Sequence, residues 1–265
     1  LYRLVGSEMC IRDRINIFIL SFIQGVTEFL PISSSAHLVL LSELSNFPDQ
    51  GLGFDIALHT GSLLAILIYF KDEIKKIFVM TDDGRHYLKL MIFASIPLPI
   101  IGIIFIDYVS LYLRNIQPIA IMTIIFALAL YFVDKNREES KKIINCSYSL
   151  MFFIGLMQAL AMMPGVSRAG VVITAALLVG FTRKDSIRIS FLLSIPAIFM
   201  ASTYQTVQFL SADEVIIIKD YILGFLLSFV FSYLTIRLFI STINKVTFSP
   251  YIIYRIVLGT ILLII

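Results

Sequence analysis

Glu28, Pro31, Ser33, Ser34, Ser35 and His37 crowd into one stretch, TEFLPISSSAH (27–37), directly behind an apolar run. A hydroxyl, an acid and an imidazole are the parts of a group-transfer site. A second stretch, PGVSRAG (164–170), sets Ser167 and Arg168 between Gly165 and Gly170. Small residues let backbone N–H groups approach an anion closely. The arginine fork matches phosphate oxygens, and a helix starting near Val171 would add its N-terminal dipole. Brought together, the two stretches would make a phosphoryl-transfer site. Arg168 and the N–H groups of 165–170 would neutralise charge, Ser34 would attack or position water, and His37 or Glu28 would handle the proton. Gln24 lies one turn before Glu28 on the same helical face and joins the candidates.

These residues need unusual elements to position them. The chain has 265 residues, 58% of them hydrophobic, and a mean hydropathy of +0.92. Soluble domains sit nearer about 45–50% apolar. Runs of about 16 to 23 residues nearly free of charge are long enough to cross a hydrocarbon core of about 30 Å. The pattern is that of an all-α polytopic membrane protein, without the alternation of a membrane barrel. Strong spans are expected at 54–70, 88–106, 118–133, 189–209, 221–243 and 251–265. Two further apolar stretches, 15–42 and 149–181, are broken by the two motifs, and the piece 171–181 reaches about half-way through the core.

The net charge of +3 and its clustering in a few loops serve membrane orientation and exclude nucleic acid as a partner. Cys10 and Cys146 are too few for a disulfide framework or a zinc site. Tyrosines near predicted span ends, among them Tyr69, Tyr108, Tyr131, Tyr204 and Tyr251, suit the interface. Residues 1–14 are mixed, charged and aperiodic, and are expected to be a non-native or disordered tail.

Segments 71–87, 134–147 and 182–188 hold most of the loop lysines and arginines and should be cytoplasmic. Segments 43–53, 107–117 and 210–220 contain only Arg114 and Lys219 between them and should face outward. The stretch between 134–147 and 182–188 must then enter and return on one side, as a re-entrant hairpin tipped by PGVSRAG. The stretch 15–42 mirrors it if the chain starts outside. The expected fold is therefore an inverted-topology repeat of about six transmembrane helices plus two re-entrant hairpins. Residues 15–133 form the first repeat, 134–147 a cytoplasmic linker, and 148–265 the second repeat. The segments KLMIFASIP (89–97) and RISFLLSIP (188–196) look alike at non-equivalent places in the two halves.

Ionisable groups at membrane depth are costly and point to function. Arg168 is the natural partner of Glu28, and the competing structural reading is that the two merely pair. Any single serine here has helix capping as its rival role. His59 is expected to pack or to support the site from behind. Arg237 and Arg255 are expected to snorkel to the cytoplasmic interface. Asp55 is expected near the outer interface, solvated or beside a metal.

QGVTEFLPISSSAH (24–37) with PGVSRAG (164–170) closely resembles the bacterial undecaprenyl-diphosphate phosphatase family, also called bacitracin-resistance proteins, over about residues 15 to 265. The resemblance implies hydrolysis of undecaprenyl diphosphate to undecaprenyl phosphate and inorganic phosphate. That reaction recycles the lipid carrier of peptidoglycan synthesis. The resemblance further implies a bacterial inner-membrane protein, often a homodimer. It implies dependence on a divalent cation, Mg²⁺ or Ca²⁺, with Glu28 as a ligand, and a site open to the periplasm. Glu28, Ser33, Ser34, His37, Ser167 and Arg168 match positions linked to activity, with Gln24, Ser33, Gly165, Ser167 and Gly170 on the substrate side. Two departures stand out: Gln24 where the family often has glutamate, and Ala169 where it commonly has serine. Paired broken helices also suit a transporter or flippase of an anionic lipid or solute. Membrane phosphatases that use a serine-glycine-histidine run do not fit, since no histidine follows Arg168.

Overall fold

In a computed structural model, residues 2–45, 52–113, 115–136, 143, 146–211, 218–242 and 247–265 are described, with side chains described from Arg14 onward. Arg114, Arg137, Lys141 and Lys142, which entered the loop-charge pattern, lie outside these residues. The described elements are helical: α1 Tyr2–Thr27, α2 Ser34–Ser45, α3 Leu52–Tyr69, α4 Lys71–Phe78, α5 Asp82–Ser95, α6 Pro97–Tyr112, α7 Ile116–Lys135, α8 Tyr148–Ala159, α9 Arg168–Leu178, α10 Arg183–Phe209, α11 Ile218–Thr242 and α12 Ser249–Ile264. The backbone of the segment expected as a tail continues α1.

Among the described residues, five stretches are long and apolar enough to cross a membrane: Leu52–Tyr69, Asp82–Val109, Ile116–Lys135, Arg183–Phe209 and Ile218–Thr242. They match five of the six expected spans. The sixth, 251–265, corresponds to α12, whose 16 residues rise about 24 Å, short of a full core. Side chains such as Ile103, Ile104 and Leu238 lie bare on the outside of these helices, as a lipid solvent permits.

The two breaks have local causes. α1 stops at Thr27, whose hydroxyl donates back to the Ile23 carbonyl at 2.7 Å, and Pro31 cannot donate to a continuing ladder. α8 tightens into one 3-10 turn, Leu160–Met162, before Pro164. The chain restarts after each break through a serine with left-handed backbone: Ser33 at φ 70° and Ser167 at φ 66°. Such conformations cost about 1–3 kcal/mol each and persist only where packing holds them. Phe29, fully buried, holds the first tip by an edge-to-face contact with Phe191 at 5.5 Å.

Ion pairs show which ends share a face. Arg183 at the start of α10 forks onto Asp134 at the end of α7, both bonds 2.8 Å. Arg188 donates to Glu73 of α4 at 3.1 Å. The three basic segments therefore share one face. At the other face Gly53 lies against Phe209 and Tyr221. α8 follows α5 and α6 away from the basic face: Tyr148 meets His86, Gly155 meets Ala94, and Met162 meets Gly102. α9 then leads back to Arg183. α1 follows α11 the opposite way, with Ser21 bonded to the Gly224 carbonyl and Gly25 against Ser228 and Ser232. The two hairpins thus enter from opposite faces.

The packing repeats itself. If α1–α2 is matched with α8–α9, α3 with α10, α5–α6 with α11 and α7 with α12, the contacts interchange. α1 on α11 becomes α8 on α5 and α6, α3 on α11 becomes α10 on α5, and α9 on α7 becomes α2 on α12. The contacts α3 with α10 and α7 with α12 map onto themselves.

Candidate functional site

The hairpin tips meet at a partly buried ion pair. Arg168 Nη2 donates to Glu28 Oε1 at 2.8 Å and to the Glu28 carbonyl at 3.2 Å, and Nη1 donates to the Ser190 carbonyl at 3.3 Å. Gln24 Nε2 donates to Glu28 Oε2 at 3.0 Å. The side chains of Arg168 and Glu28 are 14% and 9% exposed, so the pair is shielded without being sealed. It borders a cavity of about 280 Å³, whose wall also holds His59, Gln158, Met162 and Ala197.

A second, almost wholly apolar groove of about 360 Å³ continues from it. Leu98, Met162, Ala197 and Ala201 line both, and the groove runs on past Gly102, Ile106 and Tyr204 between α6 and α10. This explains the two SIP segments. α5–α6 and α10 both leave the basic face, and the residues just after Pro97 and Pro196, namely Leu98, Ala197 and Ile198, wall the same cavity. Their serines bond back one turn, Ser95 to Met91 and Ser194 to Phe191, each at 2.6 Å.

The tips are also stitched by their backbones. Gly165 N–H donates to Ser35 Oγ at 3.0 Å, and Ser35 Oγ lies 3.1 Å from Ser33 Oγ. Ser35, which the sequence offers only as the third hydroxyl of the serine run, is the one that bridges the two tips. Ser167 caps α9, its hydroxyl accepting from the Gly170 N–H at 3.1 Å. The N–H groups of Gly165 and Gly170 are thus bonded within the protein, and the Arg168 guanidinium is the tip's cationic group on the cavity. α9 starts at Arg168, three residues earlier than expected, because Ser167 is its cap.

Arg255 does not snorkel. It is fully buried, and its Nη2 donates to the carbonyls of Gly165 and Val166, each at 3.0 Å. Those carbonyls belong to a broken helix and need donors, and the guanidinium supplies them inside the bundle. Arg237 is exposed.

The other candidates divide. His37 turns away from the pair: its Nδ1 meets the Ser33 carbonyl at 2.7 Å and its Nε2 the Tyr254 hydroxyl at 2.6 Å. It lines a separate apolar cavity with Phe22, Val26 and Tyr251. Ser34 opens α2 half-buried, and Ser33 is buried beneath it. His59, expected behind the site, is in its wall. Its Nδ1 lies 2.9 Å from the Asp55 carbonyl, and since a carbonyl only accepts, that nitrogen carries the proton. Among the described residues Glu28 is the one carboxylate on the cavity wall. Among the described residues no three His, Cys, Asp or Glu side chains converge to hold a metal.

Such an arrangement defines a class: polytopic helical membrane proteins in which two re-entrant hairpins carry a partly buried acid–arginine pair to the end of an apolar groove. The chain belongs to the bacitracin resistance protein BacA family, whose model matches residues 17–261. It is 41% identical over 261 residues to an undecaprenyl-diphosphatase of Teredinibacter turnerae, covering 95% of this chain and 99% of the relative. It is 43% identical over 262 residues to an undecaprenyl-diphosphatase of Campylobacter curvus, covering 96% and 99%.

Proposed function

We propose that this chain hydrolyses undecaprenyl diphosphate to undecaprenyl phosphate and inorganic phosphate. The observation that carries the reading is the continuity of the polar cavity at Arg168 with the apolar groove between α6 and α10. A lipid diphosphate has the same two parts. Arg168, at the start of α9 in a water-poor setting, neutralises charge developing on the terminal phosphoryl oxygens. Ser34 opens α2 on the first tip and is not among the residues of the cavity wall; it supplies the attacking hydroxyl, water then cleaving the phosphoserine to release inorganic phosphate, or it positions the attacking water, once the diphosphate bridges the two tips. Attack forms a new bond to the terminal phosphorus and breaks the bond to the bridging oxygen, which leaves on undecaprenyl phosphate. Of the two groups read as proton acceptors, Glu28 borders the cavity and His37 does not, so the proton goes to Glu28.

Glu28 already accepts from Arg168 and Gln24, so a Mg²⁺ or Ca²⁺ ion at this place would take most of its ligands from diphosphate oxygens and water. With the basic face cytoplasmic, the groove runs from mid-depth toward the outer half of the bilayer. The lipid then enters from the outer leaflet of the bacterial inner membrane, on the periplasmic side, between two repeats of opposite orientation. The product returns to peptidoglycan synthesis, and its turnover supports bacitracin resistance. Pairing into a homodimer belongs to the same reading.

Phosphate release by the detergent-solubilised protein, given undecaprenyl diphosphate with and without EDTA, tests it. Release that stops with EDTA and returns with Mg²⁺ or Ca²⁺ is expected, and its absence from folded protein with either cation overturns the assignment. Full activity in Ser34→Ala excludes a phosphoserine route. The entry of the hairpins from opposite faces also suits transport of an anionic lipid. In that case no phosphate is released.

Gly102 tests the groove. A Cβ there would meet nothing closer than Met162 Sδ at 3.8 Å, so a larger side chain enters the groove rather than the protein. Gly102→Phe is expected to lower kcat/KM for undecaprenyl diphosphate about tenfold or more, since each buried methylene contributes about 0.8 kcal/mol. Geranyl diphosphate, too short to fill the groove, should be hydrolysed nearly as before.

A further inference from the structure

Gln158 is fully buried on the cavity wall, and neither Nε2 nor Oε1 has a hydrogen-bond partner. A buried amide with both ends unpaired is costly and calls for an explanation. The internal repeat gives one. Gln24 precedes Ser33 by nine residues, and Gln158 precedes Ser167 by nine. Both serines restart a helix with the same left-handed backbone. Gln24 and Gln158 are therefore equivalent places in the two hairpins. Gln24 spends its amide on Glu28, one turn on. In the second hairpin the place of Glu28 is taken by Met162, which offers no carboxylate. The second glutamine is left with its donor and acceptor unused, beside the cavity that Arg168 also borders.

We propose that Gln158 is a substrate-contacting residue: its Nε2 donates to a diphosphate oxygen held by Arg168, and its Oε1 accepts from the attacking water. This rests on the phosphatase reading above and adds a named ligand to it. The assignment of roles follows from the chemistry of the two ends. An NH₂ group matches an oxyanion, whereas a carbonyl oxygen repels one and accepts only from an O–H. Gln158 shows no surface to solvent, so an entering diphosphate displaces neighbours from the wall, of which the unbranched Met162 is the most adaptable.

The test is Gln158→Leu, which keeps the volume and removes both polar ends. Contact with substrate predicts a loss of about a hundredfold in kcat/KM for undecaprenyl diphosphate, with the melting temperature in detergent unchanged or raised. A glutamine without substrate contact predicts kcat/KM within about threefold of wild type, at the same unchanged or raised melting temperature. A second readout does not depend on turnover. Inorganic diphosphate should raise the melting temperature of wild type by more than that of Gln158→Leu, in which Arg168 alone still holds it. Equal shifts in the two proteins, or wild-type kcat/KM in the variant, overturn the contact. Failure of wild type to release any phosphate overturns the phosphatase reading instead, while the diphosphate shift still decides the contact.

Discussion

Arg168→Ala will lose phosphate release by about a thousandfold or more and will lower the stability of the folded protein at the same time. The catalytic loss follows from removing the one cationic group of the second tip that borders the cavity; a single donor aimed at developing charge is worth about 10²–10³ in rate, and a guanidinium carries more than one. The stability loss has a separate origin. The Glu28 side chain is 9% exposed, and without the guanidinium its charge is left buried with only the Gln24 amide. Breaking one side of a buried pair costs about 3–5 kcal/mol. The double variant Arg168→Ala with Glu28→Gln should therefore recover much of the melting temperature and none of the activity. Arg168→Lys should rescue neither fully, because an ammonium cannot span Glu28 Oε1, the Glu28 carbonyl and the Ser190 carbonyl together. Recovery of activity in the double variant would show that the pair only holds the tips together.

Gly165→Ala is expected to be the most damaging change that touches no charge. Gly165 has φ +93°, and a Cβ there would sit 2.3 Å from the Ile119 carbonyl oxygen and 3.0 Å from Thr123 Oγ1. Left-handed backbone costs a residue with a Cβ about 1–3 kcal/mol in itself. The clash with backbone adds to this, since α7 cannot yield cheaply. The tip must move, and it then loses the Ser35 bond and the two carbonyls held by Arg255. A loss of about 3 kcal/mol or more in unfolding free energy is expected, read as a lower melting temperature with phosphate release lost. Gly102→Ala, which enters open space, is the control and should behave as wild type. A Gly165→Ala protein as stable as that control would mean the second tip is loosely held.

Some of this was legible in the amino-acid order alone, because it depends on local rules. Apolar length, loop charge and two prolines in polar breaks gave six spans, of which five match membrane-length helices among the described residues, and two interrupted stretches. The pairing of Glu28 with Arg168 was legible because two lone charges at membrane depth need one another. KLMIFASIP and RISFLLSIP could be seen to match, but not why: only packing put the residues just after their prolines on one cavity. Tertiary structure also decided where each polar side chain points after a helix breaks. Periodicity stops at a break, so nothing in PISSSAH told that Ser35 would reach Gly165 while His37 turned to Tyr254. Arg255 was read from its distance along one helix to the interface, yet the carbonyls it serves belong to another hairpin. Gln158 stood as a lone amide in the apolar run FFIGLMQALAMM, a signal whose meaning depended on Met162 occupying the place that Glu28 holds in the first hairpin. Segment length, charge and breaks are properties of the chain; which donor meets which acceptor is a property of two hairpins meeting from opposite faces.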